Sequence, residues 1–177
     1  MVSENKKIAT IYIVVLIILA FTIYVLFPSN RSPESSPAEQ MILKPSDIGP
    51  DWIYTPPIRG EANMNSNCYA YLNNDTIRLN IIIDVFNSTS DSREVFDLRS
   101  AWVFGSENIN LGDGAIYFLE GTSYPRPNVI FIRSYVLAQV ETIAFIDYVW
   151  QKNATIDIAF LQLQKIDQYL AQHPGES

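Results

Sequence analysis

The sequence predicts an α+β protein: an N-terminal transmembrane helix, then an antiparallel sheet of five or six strands with two helices packed on its apolar face. Three observations carry that reading. Residues 8–27 hold no charged side chain. Two strand-like runs, 67–72 and 76–86, flank Asn73-Asn74-Asp75, which suits a tight hairpin turn. Residues 155–172 repeat apolar side chains at helical spacing. The implied order β-β-α-β-β-β-α also lacks the alternating series that builds a parallel nucleotide-binding sheet.

The elements follow in chain order. Residues 1–7 form a short inner N-terminus. The run from Ile8 to Phe27 is 20 residues long, which at about 1.5 Å per residue spans a bilayer's hydrocarbon core of about 30 Å. Lys6 and Lys7 precede it, so the positive-inside bias places the N-terminus inside and the C-terminal domain outside the cell membrane, as a single-pass protein. A cleaved signal peptide would have a shorter apolar stretch and a small-x-small site close behind it, and Phe27-Pro28-Ser29-Asn30-Arg31 has none.

Residues 28–40, PSNRSPESSPAEQ, read as a solvated tether. The folded domain is expected over 41–173, with a tail at 174–177. Within it, Ser46 or Asp47 caps a helical turn, and a short strand at 52–55 ends at Pro56-Pro57. In the strand at 76–86, Ile77, Leu79, Ile81, Ile83 and Val85 share one face and point to the core. Asp91 with Glu94 opens a helix reaching about Val103, with Val95, Leu98 and Trp102 on its buried stripe. A turn at Gly112-Asp113-Gly114 leads into a strand at 115–120. Residues 129–145 supply two more strands joined near Ser134-Tyr135. The last helix turns Ile156, Phe160, Leu163, Ile166 and Leu170 toward the sheet.

Charge narrows the function classes. Residues 41–177 carry 9 Lys and Arg against 16 Asp and Glu, a net of −7. Nucleic-acid binding needs a basic surface, so no nucleic-acid partner is expected. Four Asn-x-Ser/Thr sequons, at Asn30, Asn74, Asn87 and Asn153, fall in the linker or in predicted turns, as glycosylation of an outer domain requires. Cys68, the lone cysteine, has no partner for an internal bridge and reads as a small buried strand residue.

Leu43, Asp47, Ile48, Gly49 and Trp52 form a Leu-x-x-x-Asp-hydrophobic-Gly-x-x-Trp opening. A hairpin, a helix, the Leu111-Gly112-Asp113 segment, a Phe131-x-Arg133 strand and an amphipathic C-terminal helix follow. The pattern resembles small extracytoplasmic domains of archaeal and bacterial membrane-anchored proteins and lipoproteins, some akin to the PsbP/Mog1 α/β sandwich. This chain lacks the lipoprotein cysteine, so the resemblance implies a variant with a helical anchor. It implies no activity.

The search for chemistry returns no catalytic, cofactor or metal set. The single histidine, His173, lies beside Pro174 in the C-terminal stretch and reads as a solvated terminal residue. Asp113 and Glu120 are the carboxylates an enzyme of this composition would use, and Glu107, Asn108, Asn110 and Asp113 form a loose oxygen group. Arg133 and Glu141 are expected to face each other across paired strands. Trp52, Tyr54, Trp102, Tyr124, Tyr148 and Trp150 fall at element ends or loops. Of these, Trp52, Tyr54 and Tyr124, with Arg126 and Arg133, are the expected contacts for a ligand or partner. The expected role is a non-enzymatic module that binds a protein partner or small ligand outside the membrane. The alternatives are an assembly subunit contacting its complex through residues 8–27, and a carboxylate-dependent enzyme.

Overall fold

The computed structural model describes residues 35–59, 66–74, 76–121, 126–144 and 148–174. The predicted transmembrane run at 8–27 lies outside them, and among the described residues no helix is long and apolar enough to cross a membrane. Among the described residues the first elements are α1 (Pro37–Met41) and α2 (Pro45–Ile48). Seven strands follow: β1 (Ile53–Arg59), β2 (Ser66–Asn73), β3 (Ile77–Val85), β4 (Glu107–Asn108), β5 (Gly114–Glu120), β6 (Arg126–Arg133) and β7 (Val136–Ala144). Helix α3 (Thr89–Ala101) separates β3 from β4, and α4 (Tyr148–Gln172) closes the fold. The class is α+β, and all seven strands join one antiparallel sheet in the order β1-β2-β3-β7-β6-β5-β4.

Several sequence expectations are corrected at the N-terminal side. The predicted tether gives up its last residues to the fold, because Ser36 caps α1. The Ser36 hydroxyl accepts from the Glu39 amide, and the Glu39 carboxylate accepts from the Ser36 amide. Ala38 and Met41 on this turn are fully buried. Strand β1 does not stop at Pro56-Pro57 but runs through to Arg59, with an irregular register between Thr55 and Ile58. An edge strand tolerates prolines because one row of its amides has no strand partner.

The expected hairpin is present. The Asn74 side-chain carbonyl accepts from the Thr76 and Ile77 amides at 2.9 and 2.8 Å, closing the turn between β2 and β3. Ile77, Leu79, Ile81, Ile83 and Val85 are all buried, as their alternation predicts. From β3 the chain crosses by α3 to the far edge and returns as the meander β4-β5-β6-β7, so β7 docks between β3 and β6. The strand missed in the sequence is β4, two residues at the edge beside β5. Gly112 lies at φ 59° just before β5, and a Cβ there would stand 2.4 Å from the Ile132 carbonyl oxygen. Only glycine fits.

The two main helices do not share one face; they cover opposite faces. α1 and α4 pack over Cys68, Ala70, Leu72, Leu79, Ile81, Phe131, Ala138 and Val140. α3 covers Ile116, Phe118, Ile130, Ile132 and Leu137 on the other side with Phe96. The unbroken apolar run Val129, Ile130, Phe131 and Ile132 in β6 is buried on both faces for this reason.

In α3 Val95 packs inward as expected but Leu98 and Trp102 do not, and in α4 the expected stripe departs at one position. In α3 the N-cap is Ser88, whose hydroxyl accepts from the Asp91 amide, and the buried residues are Ser92 and Phe96. Leu98 and Trp102 are 60% and 77% exposed. In α4 Ile166 is buried and Ile156, Leu163 and Leu170 pack against the core as expected, joined by Thr155, Ile158, Ala159, Gln162 and Tyr169, while Phe160 is 44% exposed.

The groove between α3 and the sheet

Helix α3 has 13 residues, a length of about 20 Å, too short to roof the whole sheet face beneath it. Beyond its last turn the sheet stays open. Leu98, Arg99, Trp102 and Val103 form one wall of a groove, and Phe118, Glu120, Ile130 and Gln139 from β5, β6 and β7 form the other wall and floor. Its volume is about 390 Å³. Phe104, in the loop that leaves α3, is 94% exposed. Exposed apolar side chains gathered around a concavity mark interaction surfaces more often than isolated ones do.

A polar belt runs across the sheet beside this groove, set by strand register. Asn128 of β6 faces Glu141 of β7, which faces Asn80 of β3. The Asn80 amide nitrogen donates to the Glu141 carboxylate. Arg126 Nη1 stands 2.9 Å from Glu141 Oε1 in an ion pair, without the angle of a hydrogen bond, and Arg126 Nη2 is 3.4 Å from Glu120. Gln139 donates to the Asn128 side-chain carbonyl at 2.9 Å. At the other side of the groove Arg99 donates to Asp84 at 2.8 Å, and that aspartate is fully buried. The arginines neutralise the buried carboxylates, since an unpaired buried charge is strongly destabilising.

The expected contact residues do not converge. Of those among the described residues, Arg126 alone lies beside the groove. Trp52 and Tyr54 are half-buried and pack against the core on the α4 side, at the β1 edge. Burial, with the Cys68 thiol and the Glu39 carboxylate nearby, pushes the Tyr54 phenol up to about 12. Arg133 also lies on the α4 side, gripped by Asp167 at 2.6 Å and Asp113 at 3.0 Å, which hold its guanidinium above the usual range. Tyr124 lies outside the described residues. So do the side chains of Tyr148 and Trp150.

The other candidates also scatter. Arg133 and Glu141 do not meet: register sets Arg133 opposite Val136, and the two point to opposite faces. Asp113 and Glu120 sit at opposite ends of β5, about 20 Å apart along the strand. Asp113 locks the β6–β7 turn by accepting from the Ser134 amide at 2.7 Å, and Glu107 takes Lys152 at 2.6 Å. Among the described residues no three His, Cys, Asp or Glu side chains gather as a metal site. His173 is not merely solvated: its ring stacks on Tyr169 with centroids 4.1 Å apart. Of the sequons, Asn87 and Asn153 are exposed and Asn74 is half-buried, but Asn153 lies inside α4 rather than in a turn; Asn30 lies outside the described residues.

No family model and no curated protein matches the sequence. The fold is similar to that of the extracellular domain of PknH from Mycobacterium tuberculosis, with a TM-score of 0.54 over 76% of this chain and 97% of that one, at 8% identity. At that identity the PknH domain shares an architecture with this chain and lends no residue a role.

Sequence reasoning missed Leu98 and Trp102 as groove residues by assigning both to the helix's buried stripe. A signal was present: Phe96 and Val103 also stand seven residues apart, so a second apolar stripe was available on another side of α3.

Proposed function

We propose that this chain is a membrane-tethered binding module, displayed outside the cell, that takes a protein partner or ligand in the groove between α3 and the sheet. One observation carries the reading: exposed Leu98 and Trp102 form a wall of an open groove beside a fixed polar belt. Three further points support the outside placement: the uncharged run at 8–27, the lysines before it, and a structural neighbour that is itself an extracellular domain. The resemblance to anchored extracytoplasmic domains belongs to the same reading. Its motif residues have structural work here, for Leu43 is buried and Asp47 accepts from the Lys44 amide at 2.8 Å.

Crosslinking of the full chain in native membranes, followed by identification of what is captured, tests the proposal. The wild type captures a defined partner, a Leu98→Asp/Trp102→Asp variant loses it, and replacing residues 8–27 with an unrelated apolar helix retains it. Loss on replacing the helix, with retention in the groove variant, overturns the groove reading in favour of an assembly subunit.

A further inference from the structure

The charges around the groove are not equivalent. Arg99 and Arg126 are both committed, one to Asp84, whose side chain is 1% exposed, the other to Glu141, whose side chain is 9% exposed. Releasing either arginine to an incoming anion would take the neutralising cation from a buried carboxylate. Glu120 differs. It lines the groove, its side chain is 52% exposed, and Arg126 reaches it only at 3.4 Å. The least committed charge at the groove is therefore negative, and Glu120 shares the groove lining with Trp102, Phe118 and Leu98, an indole and a ring beside an aliphatic wall. A cation with an apolar neighbour satisfies both parts, because a carboxylate and an aromatic face each attract it. The chain as a whole carries −7, which steers basic partners toward it and repels acidic ones.

Resting on the binding role proposed above, we infer that the groove's occupant is a segment of a partner protein in which a lysine or arginine stands next to apolar residues. The basic side chain meets Glu120 and Trp102, and the apolar ones lie on Leu98, Val103 and Ile130.

The test uses the full chain in lipid nanodiscs and a peptide, acetyl-Gly-Leu-Xaa-Phe-Leu-Gly-amide, with Lys, Gln or Glu at Xaa, titrated calorimetrically at low and high salt. The Lys peptide binds about tenfold more tightly than the Gln peptide at low salt, and the Glu peptide more weakly than both. Salt shrinks that difference, Glu120→Gln removes it, and Trp102→Ala weakens all three. Equal binding of the three, unchanged by Glu120→Gln but weakened by Trp102→Ala, overturns the basic occupant and leaves the groove reading standing. Binding that Trp102→Ala leaves untouched overturns both. No binding by any peptide overturns the inference, while the groove reading is judged separately by the crosslinking variants.

Discussion

Gln162 serves Leu43 as a strand neighbour would. Its side-chain carbonyl accepts from the Leu43 amide at 3.1 Å, and its amide donates to the Met41 carbonyl at 2.7 Å. The pair lies fully inside, with Gln162 at 0% exposure and Leu43 at 1%. One α4 side chain thus satisfies two backbone groups of the segment that enters the domain, fastening that segment into the core.

Gln162→Met keeps the volume and leaves both backbone groups unpaired. Each orphaned group costs about 1–3 kcal/mol, so Tm falls on the order of 10 °C. Calorimetry or thermal circular dichroism checks it. A change of a degree or two would show that water or a shifted backbone takes over the bonds.

Arg99→Met takes the neutralising cation from the buried Asp84 carboxylate. Because the Arg99 side chain is itself 32% exposed, the loss belongs at the low end for such pairs, about 2 kcal/mol. Urea denaturation reads it as a lower midpoint at unchanged slope. Replacing both residues, Asp84→Leu with Arg99→Met, recovers part of the loss, since the buried carboxylate at that site is then gone.

Gly112→Ala introduces both a left-handed backbone penalty and a Cβ against the Ile132 carbonyl. The expected cost is about 2–3 kcal/mol. Gly105, also at positive φ but with nothing near its Cβ position, costs less on the same substitution. Equal losses at the two glycines would contradict the close approach at β6.

Tyr54 gives a pH signature. Its folded-state pKa of about 12 lies above the unfolded value near 10, so the folded chain holds that proton more tightly. The associated stability is complete below about pH 10 and is lost as pH rises through 12. A phenolate absorbance titration of wild type minus Tyr54→Phe isolates one tyrosine with its midpoint near 12. A midpoint near 10 would contradict its burial.

Much of this fold was legible because strands advertise themselves locally. The alternation from Ile77 to Val85 set one core face, and Asn73-Asn74-Asp75 placed the hairpin. The helices lie on both faces, not on one as expected, although the unbroken run from Val129 to Ile132 fits two-sided burial. What stayed hidden depends on distant partners. The rotation of α3 is fixed by Ser92 donating to the Ser134 carbonyl and Arg99 to Asp84, contacts 42 and 15 residues away. The place of Gln162 on the core side of α4 hides in the same way, since a buried glutamine reads as an error until the backbone it serves is known. The groove was hidden because it is made of what α3 leaves uncovered, which no stretch of sequence shows by itself.

The groove as the binding surface is tested most directly by a photo-crosslinking side chain placed at residue 98, 102 or 160 of the full chain in native membranes. All three positions are exposed, with Phe160 on α4 at the opposite face of the sheet. The account predicts that positions 98 and 102 capture the same partner segment and that position 160 does not. Capture from 160 with none from 98 or 102 would contradict it.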